Sequence, residues 1–181
     1  AVFNAKDTIE GTIDSILSQT YGNVELIVID GGSTDGTVEI IEKYRNNLAV
    51  FVSEGDRGIY DALNKGIGYA TGEVVGFLHA ADIFASTTVL SAVAAGFSRS
   101  SIDCVYGDLV YTSKGNFDNV VRYWISGTYD EGQLKFGWMP PHPTFYCRRS
   151  IYQKMGYFDT TFSISADYDC MVRLIRSEKF E

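Results

Sequence analysis

Positive charge is scarce in this sequence. Its 181 residues carry 15 Lys and Arg against 23 Asp and Glu, a formal charge of -8. A protein that tracks nucleic-acid phosphates needs a basic face, so no nucleic-acid partner is expected. A small anionic substrate would have to be held among acids through a cation. Cysteine is sparse too: Cys104, Cys147 and Cys170 lie far apart and form no C-x-x-C pair. That excludes the usual zinc and disulfide patterns and leaves buried thiols in a reducing compartment. No apolar run approaches the ~18 residues of a membrane span, and no signal-peptide pattern opens the sequence. The expected location is cytoplasmic, with peripheral contact at the inner face of the membrane left open. No repeat, low-complexity tract or linker divides the chain, so residues 1–181 are expected to form one domain.

What is present alternates. Asp7-Thr8-Ile9-Glu10 has capping-box spacing, and Ile9, Ile13, Ile16 and Leu17 then follow a helical stripe. Glu25 to Ile29 reads as a buried strand ending at Asp30. The tight loop Gly31 to Gly36 leads to a helix carrying Val38, Ile41 and Tyr44. Ala49 to Ser53 is the next strand, ending on Glu54-Gly55-Asp56, and a helix with Ile59, Leu63, Ile67 and Ala70 follows. Val74 to Leu78 is the third strand, and a helix runs from about Thr87 to Phe97. Strand and helix in alternation with short links predict a parallel sheet covered on both faces. The second half is less regular. Asp103 to Thr112 reads as one or two strands, 113–141 shows no clean period, Thr144 to Arg148 is a strand and Ser150 to Met155 a short helix. A last helix starts near Asp167.

In a parallel sheet the carboxyl ends of the strands share one edge, where ligands bind. Three successive strands here end on acids: Asp30, then Glu54 and Asp56, then Asp82. Gathered carboxylates repel and raise one another's pKa. A divalent cation relieves this and lets a diphosphate bind among them, and hard oxygen ligands suit Mg²⁺ or Mn²⁺. A dinucleotide loop fails on spacing, because G-x-G-x-x-G would need glycine at Ser33 or Thr34. No G-x-x-x-x-G-K-[ST] occurs either.

Three long segments carry a resemblance. They are "FNAKDTIEGTIDSILSQTYGNVELIVIDGGSTDGT", "SEGDRGIYDALNKGIGYATGEVVGFLHAAD" and "PPHPTFYCRRSIYQKMGYFDTTFSISADYDCMVRL". With them the chain resembles the inverting family-2 glycosyltransferases over nearly its whole length. The resemblance implies a Rossmann-like three-layer α/β/α GT-A fold with a mostly parallel central sheet. It implies metal-dependent, hexosyltransferase-type transfer of a sugar from a nucleotide-diphosphate sugar to an acceptor hydroxyl, with inversion. Cell-surface polysaccharide or glycoconjugate biosynthesis, and a sugar or lipid-linked acceptor, go with it.

Carried over by position, Phe3 and Asp30 border the base and ribose. Gly31 stands where many members have a second acid. Asp56 and Arg57 fall in the next nucleotide-contacting loop, with Asn64 and Lys65 nearby. Asp82 takes the last place of the acidic metal motif, and Ala81 replaces the acid usually found before it. Asp167 in "SADYD" matches the general base, a carboxylate that takes the acceptor proton; Asp169 is the second candidate. Helix capping is the structural role open to either acid. His142 could touch diphosphate or acceptor, or be a buried, satisfied histidine; His79 beside Asp82 could be a packed polar residue. Trp138 and Phe136 could stack on an acceptor sugar or pack in the core.

The family's apolar first strand is expected before "AVFNA", so the chain reads as cut short there and trimmed after Glu181. Two rival functions follow. One is a glycosyltransferase-like nucleotide-binding domain without turnover, favoured by Ala81. The other is a nucleotidyltransferase, disfavoured by the lack of a basic, glycine-rich N-terminal loop.

Overall fold

The computed structural model describes residues 1–113 and 115–175. The first half alternates as expected: α1 (Ile9–Leu17), β1 (Ile27–Asp30), α2 (Thr37–Glu42), β2 (Val50–Ser53), α3 (Ile59–Tyr69), β3 (Val74–Gly76) and α4 (Val89–Gly96). β4 (Cys104–Val105), β5 (Leu109–Ser113) and β6 (Asn116–Trp124) come next. The short α5 (Glu131–Leu134), β7 (Tyr146–Arg148), α6 (Arg149–Met155) and α7 (Ala166–Ile175) complete the order.

β1 and β2 pair in parallel, Ile27 with Val50 through Asp30 with Ser53. On the other side of β1, Val2 forms a parallel bridge with Asp30. Its N–H donates to the Ile29 carbonyl, and its own carbonyl accepts from Gly31 N–H, both at 2.9 Å. The parallel expectation holds for this half and fails for the other. β7 runs antiparallel between β3 and β4, because the long excursion from 106 to 145 brings the chain back in the opposite sense. β1 and β3 are not hydrogen-bonded to each other. Ile27, Ile29, Val74 and Gly76 help to line a cavity of about 570 Å³, with Ala1 also in its wall.

β5 and β6 form an antiparallel hairpin with register shifts around Thr112. Its second strand lies in the stretch that shows no period. The reason is exposure: nearly every β6 residue is solvent-exposed, and alternation appears only where one face is buried. Ile9 and Ile13 of α1 are buried as the stripe predicts, whereas Leu17 is exposed. The capping box does not form on Asp7. Thr8 is the cap residue, with no side-chain cap bond. Its hydroxyl instead donates to the carbonyls of Ala5 and Ala80.

Two apolar clusters hold the layers together. Val2, Ile9, Ile13, Val28 and Ile41 pack α1 and α2 against β1. Leu63, Val75, Phe145, Tyr152, Phe158, Met171 and Leu174 join α3, β3, α6 and α7. Burial of each large side chain contributes roughly 1.5–3 kcal/mol. The cysteines are free, with Cys147 and Cys170 buried and Cys104 half-buried.

Candidate active site

The acid at the end of β1 turns inward. Asp30 is fully buried. Its carboxylate accepts from Gly32 N–H at 3.1 Å, Ser33 N–H at 3.0 Å and the Ser53 hydroxyl at 2.7 Å. The Ser33 hydroxyl donates to it as well. With its acceptors engaged inside the chain, Asp30 shapes the loop after β1. It is absent from the cavity wall, where contact with base and ribose is expected of it.

Segment 2–8 closes over the loop Asp30 shapes. Asn4, at φ +46°, donates its N–H to the Ser33 hydroxyl and accepts from Thr34 N–H. Asp35 accepts from the Thr37 hydroxyl and from the N–H groups of Lys6 and Thr37. These bonds, the Thr37 hydroxyl first, hold its carboxyl below the usual range. Between the two segments lies a cavity of about 800 Å³, within the size range of small-molecule sites. Phe3, Gly31, Asp56, His79 and Ala81 line it, and Phe3 is 64% exposed.

The loop after β2 enters α3 at Gly58, φ +111°. Asp56 accepts from Gly58 N–H through Oδ1 at 2.8 Å. Its Oδ2 lies over Gly31, so close that a Cβ there would come within 2.5 Å. Arg57 pairs with Asp61 at 2.9 Å. Lys65 pairs with Glu54 at 2.8 Å and Asp61 at 3.6 Å, which raises its pKa. Asn64, expected near the nucleotide, uses its side-chain amide elsewhere. It donates to Phe158 O at 2.8 Å and accepts from Phe158 N–H at 2.9 Å.

After β3 the backbone turns, Asp82 N–H donating to His79 O at 2.9 Å. Thr8 and Thr12 of the α1 region hold this turn by its carbonyls, at Ala80 and at Asp82 (3.0 Å). His79 and His142 lie side by side, ring centroids 5.6 Å apart. His142 also stacks on Phe77 and meets the edge of Phe158. His79 Nδ1 and His142 Nε2 are buried without protein partners among the described residues. Burial pulls both imidazoles down to about 4, so both are neutral at pH 7.

Asp167 and Asp169 sit in the first turn of α7 but are engaged differently. Asp169 pairs with Arg173 at 2.9 Å, and Arg173 donates to the Met155 and Tyr157 carbonyls. That makes Asp169 part of a structural clamp. Asp167 accepts from the Tyr60 hydroxyl at 3.3 Å. Burial first, then the Asp167 charge, raises the Tyr60 pKa. The negative charges of Asp82 and Asp167 both favour the protonated form of His79, against the larger effect of burial. Trp138 donates to Ser126 O at 3.1 Å and packs against Tyr106 and Tyr129; Phe136 is 90% exposed.

No group of three or more His, Cys, Asp or Glu converges to cage a metal among the described residues. The donors fit a looser arrangement. Asp82 offers hard oxygen one residue after Ala81, which lines the open cavity, and Mg²⁺-type ions are commonly held by one or two carboxylates plus substrate phosphates. Tyr60, Thr8, Thr12 and Phe158 escape sequence reasoning, since each acts through a partner about 70 or more positions away in the chain, or through a ring contact.

The family description Glycosyl transferase family 2 matches residues 1–169. A PGL/p-HBAD biosynthesis glycosyltransferase of Mycobacterium bovis is 33% identical over 174 residues, covering 94% of this chain. The chain spans 65% of that relative's length. The Escherichia coli UDP-Glc:alpha-D-GlcNAc-diphosphoundecaprenol beta-1,3-glucosyltransferase WfaP is 27% identical over 164 residues, 90% of this chain and 62% of its own. Among solved structures, the mannosyltransferase PcManGT of Pyrobaculum calidifontis, in complex with GDP-Man and Mn²⁺, superposes with a TM-score of 0.68. That match has 21% identity and covers 92% of this chain and 47% of the other. By the extent of these matches, the chain belongs to glycosyl transferase family 2.

Proposed function

We propose that the chain carries the donor site and base of an inverting, metal-dependent glycosyltransferase that uses a nucleotide-diphosphate sugar. The observation that carries the reading is the turn that sets Asp82 next to His79 and Ala81 in the wall of the 800 Å³ cavity, with Asp167 held by Tyr60 of α3. Asp167 takes the proton of the acceptor hydroxyl. The freed oxygen forms a bond to the anomeric carbon from the face opposite the leaving group. The bond from that carbon to the diphosphate oxygen breaks, and its electron pair leaves with the nucleoside diphosphate. One face is attacked and the other departs, so the centre inverts. Asp82 would hold Mg²⁺ or Mn²⁺ together with the diphosphate, and the ion would supply charge neutralisation to the leaving group. Tyr60 holds the Asp167 carboxylate, and neutral His79 and His142 add no charge between the acids.

The names of relatives support this donor class: one uses UDP-Glc and another structure holds GDP-Man with Mn²⁺. The relatives' names also support glycoconjugate biosynthesis and a hexosyl group, and the undecaprenol-linked acceptor of one supports work near a membrane. No helix among the described residues is long and apolar enough to cross a membrane; the location we propose, from the lipid-linked acceptor named for one relative, is the cytoplasm at the inner face of the membrane. Calorimetry with UDP or GDP, with Mn²⁺ and then with chelator, tests the site. Binding that needs the cation, and that Asp82→Ala abolishes, is expected; equal affinity in both conditions would remove the metal role. Ala81 favours a second reading, nucleotide binding without turnover, which a transfer assay with bound donor separates.

A further inference from the structure

Cys104 and Cys147 are 43 positions apart in sequence, yet they face each other as partners in the antiparallel pairing of β4 with β7. Arg148 N–H donates to the Asp103 carbonyl at 2.9 Å. Asp103 with Arg148 is therefore the hydrogen-bonded pair, and the next rung, Cys104 with Cys147, is a non-hydrogen-bonded one. At such a rung the Cα atoms lie about 4.5 Å apart and the side chains are closest. A disulfide spans Cα separations of about 4.4–6.8 Å, so the backbone already suits one. The thiols agree with it: Cys104 Sγ donates to Cys147 Sγ at 2.9 Å. Cys147 is fully buried, whereas Cys104 is half-buried and is the sulfur that a small reagent meets first. Cys170 lies on α7 and shares neither strand.

We propose that Cys104 and Cys147 are a redox pair, closed into a cross-strand disulfide by exchange with a small disulfide oxidant such as oxidised glutathione. The Cys104 thiol loses its proton to solvent, and its thiolate attacks one sulfur of the oxidant. A mixed disulfide forms and one thiolate leaves. The Cys147 thiol then loses its proton and attacks the Cys104 sulfur, expelling the second thiolate. Two protein thiols are oxidised to one disulfide while one oxidant disulfide is reduced to two thiols. The hydrogen bond to Cys147, then burial, raises the Cys104 pKa above the ordinary thiol range, and the charges of Cys147, Asp103 and Cys170 add to this. Exchange is therefore slow, and the pair stays reduced until oxidant is in excess. Once formed, the bond closes a loop that holds the β5–β6 hairpin and His142, and it stabilises the fold by restricting the unfolded chain.

The test uses the wild-type chain, so no variant has to fold for it to be read. The chain is incubated with excess oxidised glutathione at about pH 8.5, where an ordinary thiol is half ionised. Free thiols are counted before and after, and mass spectrometry of the digested chain locates any link. The count is expected to fall from three to one, with Cys104 joined to Cys147. The melting temperature should rise by about 5–10 °C, and dithiothreitol should reverse both changes. Cys170→Ser should still form the bond, its count going from two to none. Cys147→Ser should stop at a mixed disulfide on Cys104. Three thiols left after prolonged incubation, a mixed disulfide on Cys104 that Cys147 of the wild type never displaces, or a link through Cys170 would each overturn the pair.

Discussion

The Tyr60 hydroxyl donates to the Asp167 carboxylate at 3.3 Å, across 107 positions of sequence. Tyr60 opens α3, the helix entered from the loop that holds Asp56, and Asp167 opens α7. One helical turn after Tyr60, Asn64 clasps the backbone of Phe158 with two hydrogen bonds, and the Phe158 ring stacks on Tyr60 at 5.8 Å. α3 thereby fixes the platform from which Asp167 is held. Tyr60→Phe should keep the ring stack and lose only the hydroxyl bond. Expected is a fall of about tenfold in kcat with unchanged donor affinity and melting temperature. Initial rates alongside donor calorimetry check this, and an unchanged kcat would mean the bond does not order Asp167.

Asp30 is expected to matter for stability more than for ligand contact. Asp30→Ala leaves two N–H groups and two hydroxyls in and beside the loop without their acceptor. Each lost buried partner costs about 1–3 kcal/mol, so a loss of about 3 kcal/mol or more is expected in urea unfolding. Donor binding should weaken along with it as the loop over the cavity loosens. A variant as stable as wild type would contradict the inward role.

How much of this was legible follows from burial. The three acid-ended strands stand out because each is a short apolar run, buried in β1 and half-buried for the most part in β2 and β3. What their carboxylates do next depends on side chains far away: Asp30 is claimed by Ser33 and Ser53, Asp56 by Gly58. The antiparallel half of the sheet escaped because β7 has three residues and its direction is set by the excursion before it. β6 escaped because it is exposed on both faces. Asp169 and Asp167 look alike in sequence; only Arg173 and Tyr60 tell them apart.

His142 should make the fold acid-sensitive above the carboxylate range. Its pKa in the folded chain is about 4 against an ordinary 6.5, chiefly through burial. The unfolded chain therefore binds the proton first, and stability falls as pH drops from about 6.5 toward 4. The full difference is roughly 3 kcal/mol, and His79 adds in the same direction without strict additivity. The groups that face His142 are His79, Asp167 and the rings of Phe77 and Phe158. Urea unfolding between pH 5 and 7 should show this slope, and His142→Gln should flatten it. A slope unaltered in that variant would place the proton uptake elsewhere.

Ala81 is exposed and lines the 800 Å³ cavity, proposed above as the donor site, one residue before Asp82. Ala81→Asp adds a charge that repels Asp82 without cation and serves the donor with it. Tighter sugar-nucleotide binding or faster turnover is expected only with Mn²⁺ present. No change in either quantity at saturating Mn²⁺ would show that position 81 does not face the donor.

The base assignment is decided by comparing Asp167→Asn with Asp169→Asn. Asparagine keeps the size of the carboxylate and can still accept from Tyr60, but it cannot take the acceptor proton. General-base contributions are about 10²–10⁴-fold in rate, so a loss of that size is expected for Asp167→Asn, with donor affinity unchanged because the defect lies on the acceptor side. Asp169→Asn should lose part of its bond to Arg173 and loosen the clamp on Met155 and Tyr157. With its side chains 31% and 36% exposed, that pair contributes on the order of 1 kcal/mol or less, so a small drop in melting temperature with most activity kept is expected. Initial-rate transfer and melting curves on both variants separate the two roles. A fully active Asp167→Asn, or one whose loss follows its unfolding, would move the base to Asp169, and the Tyr60 contact would then be structural alone.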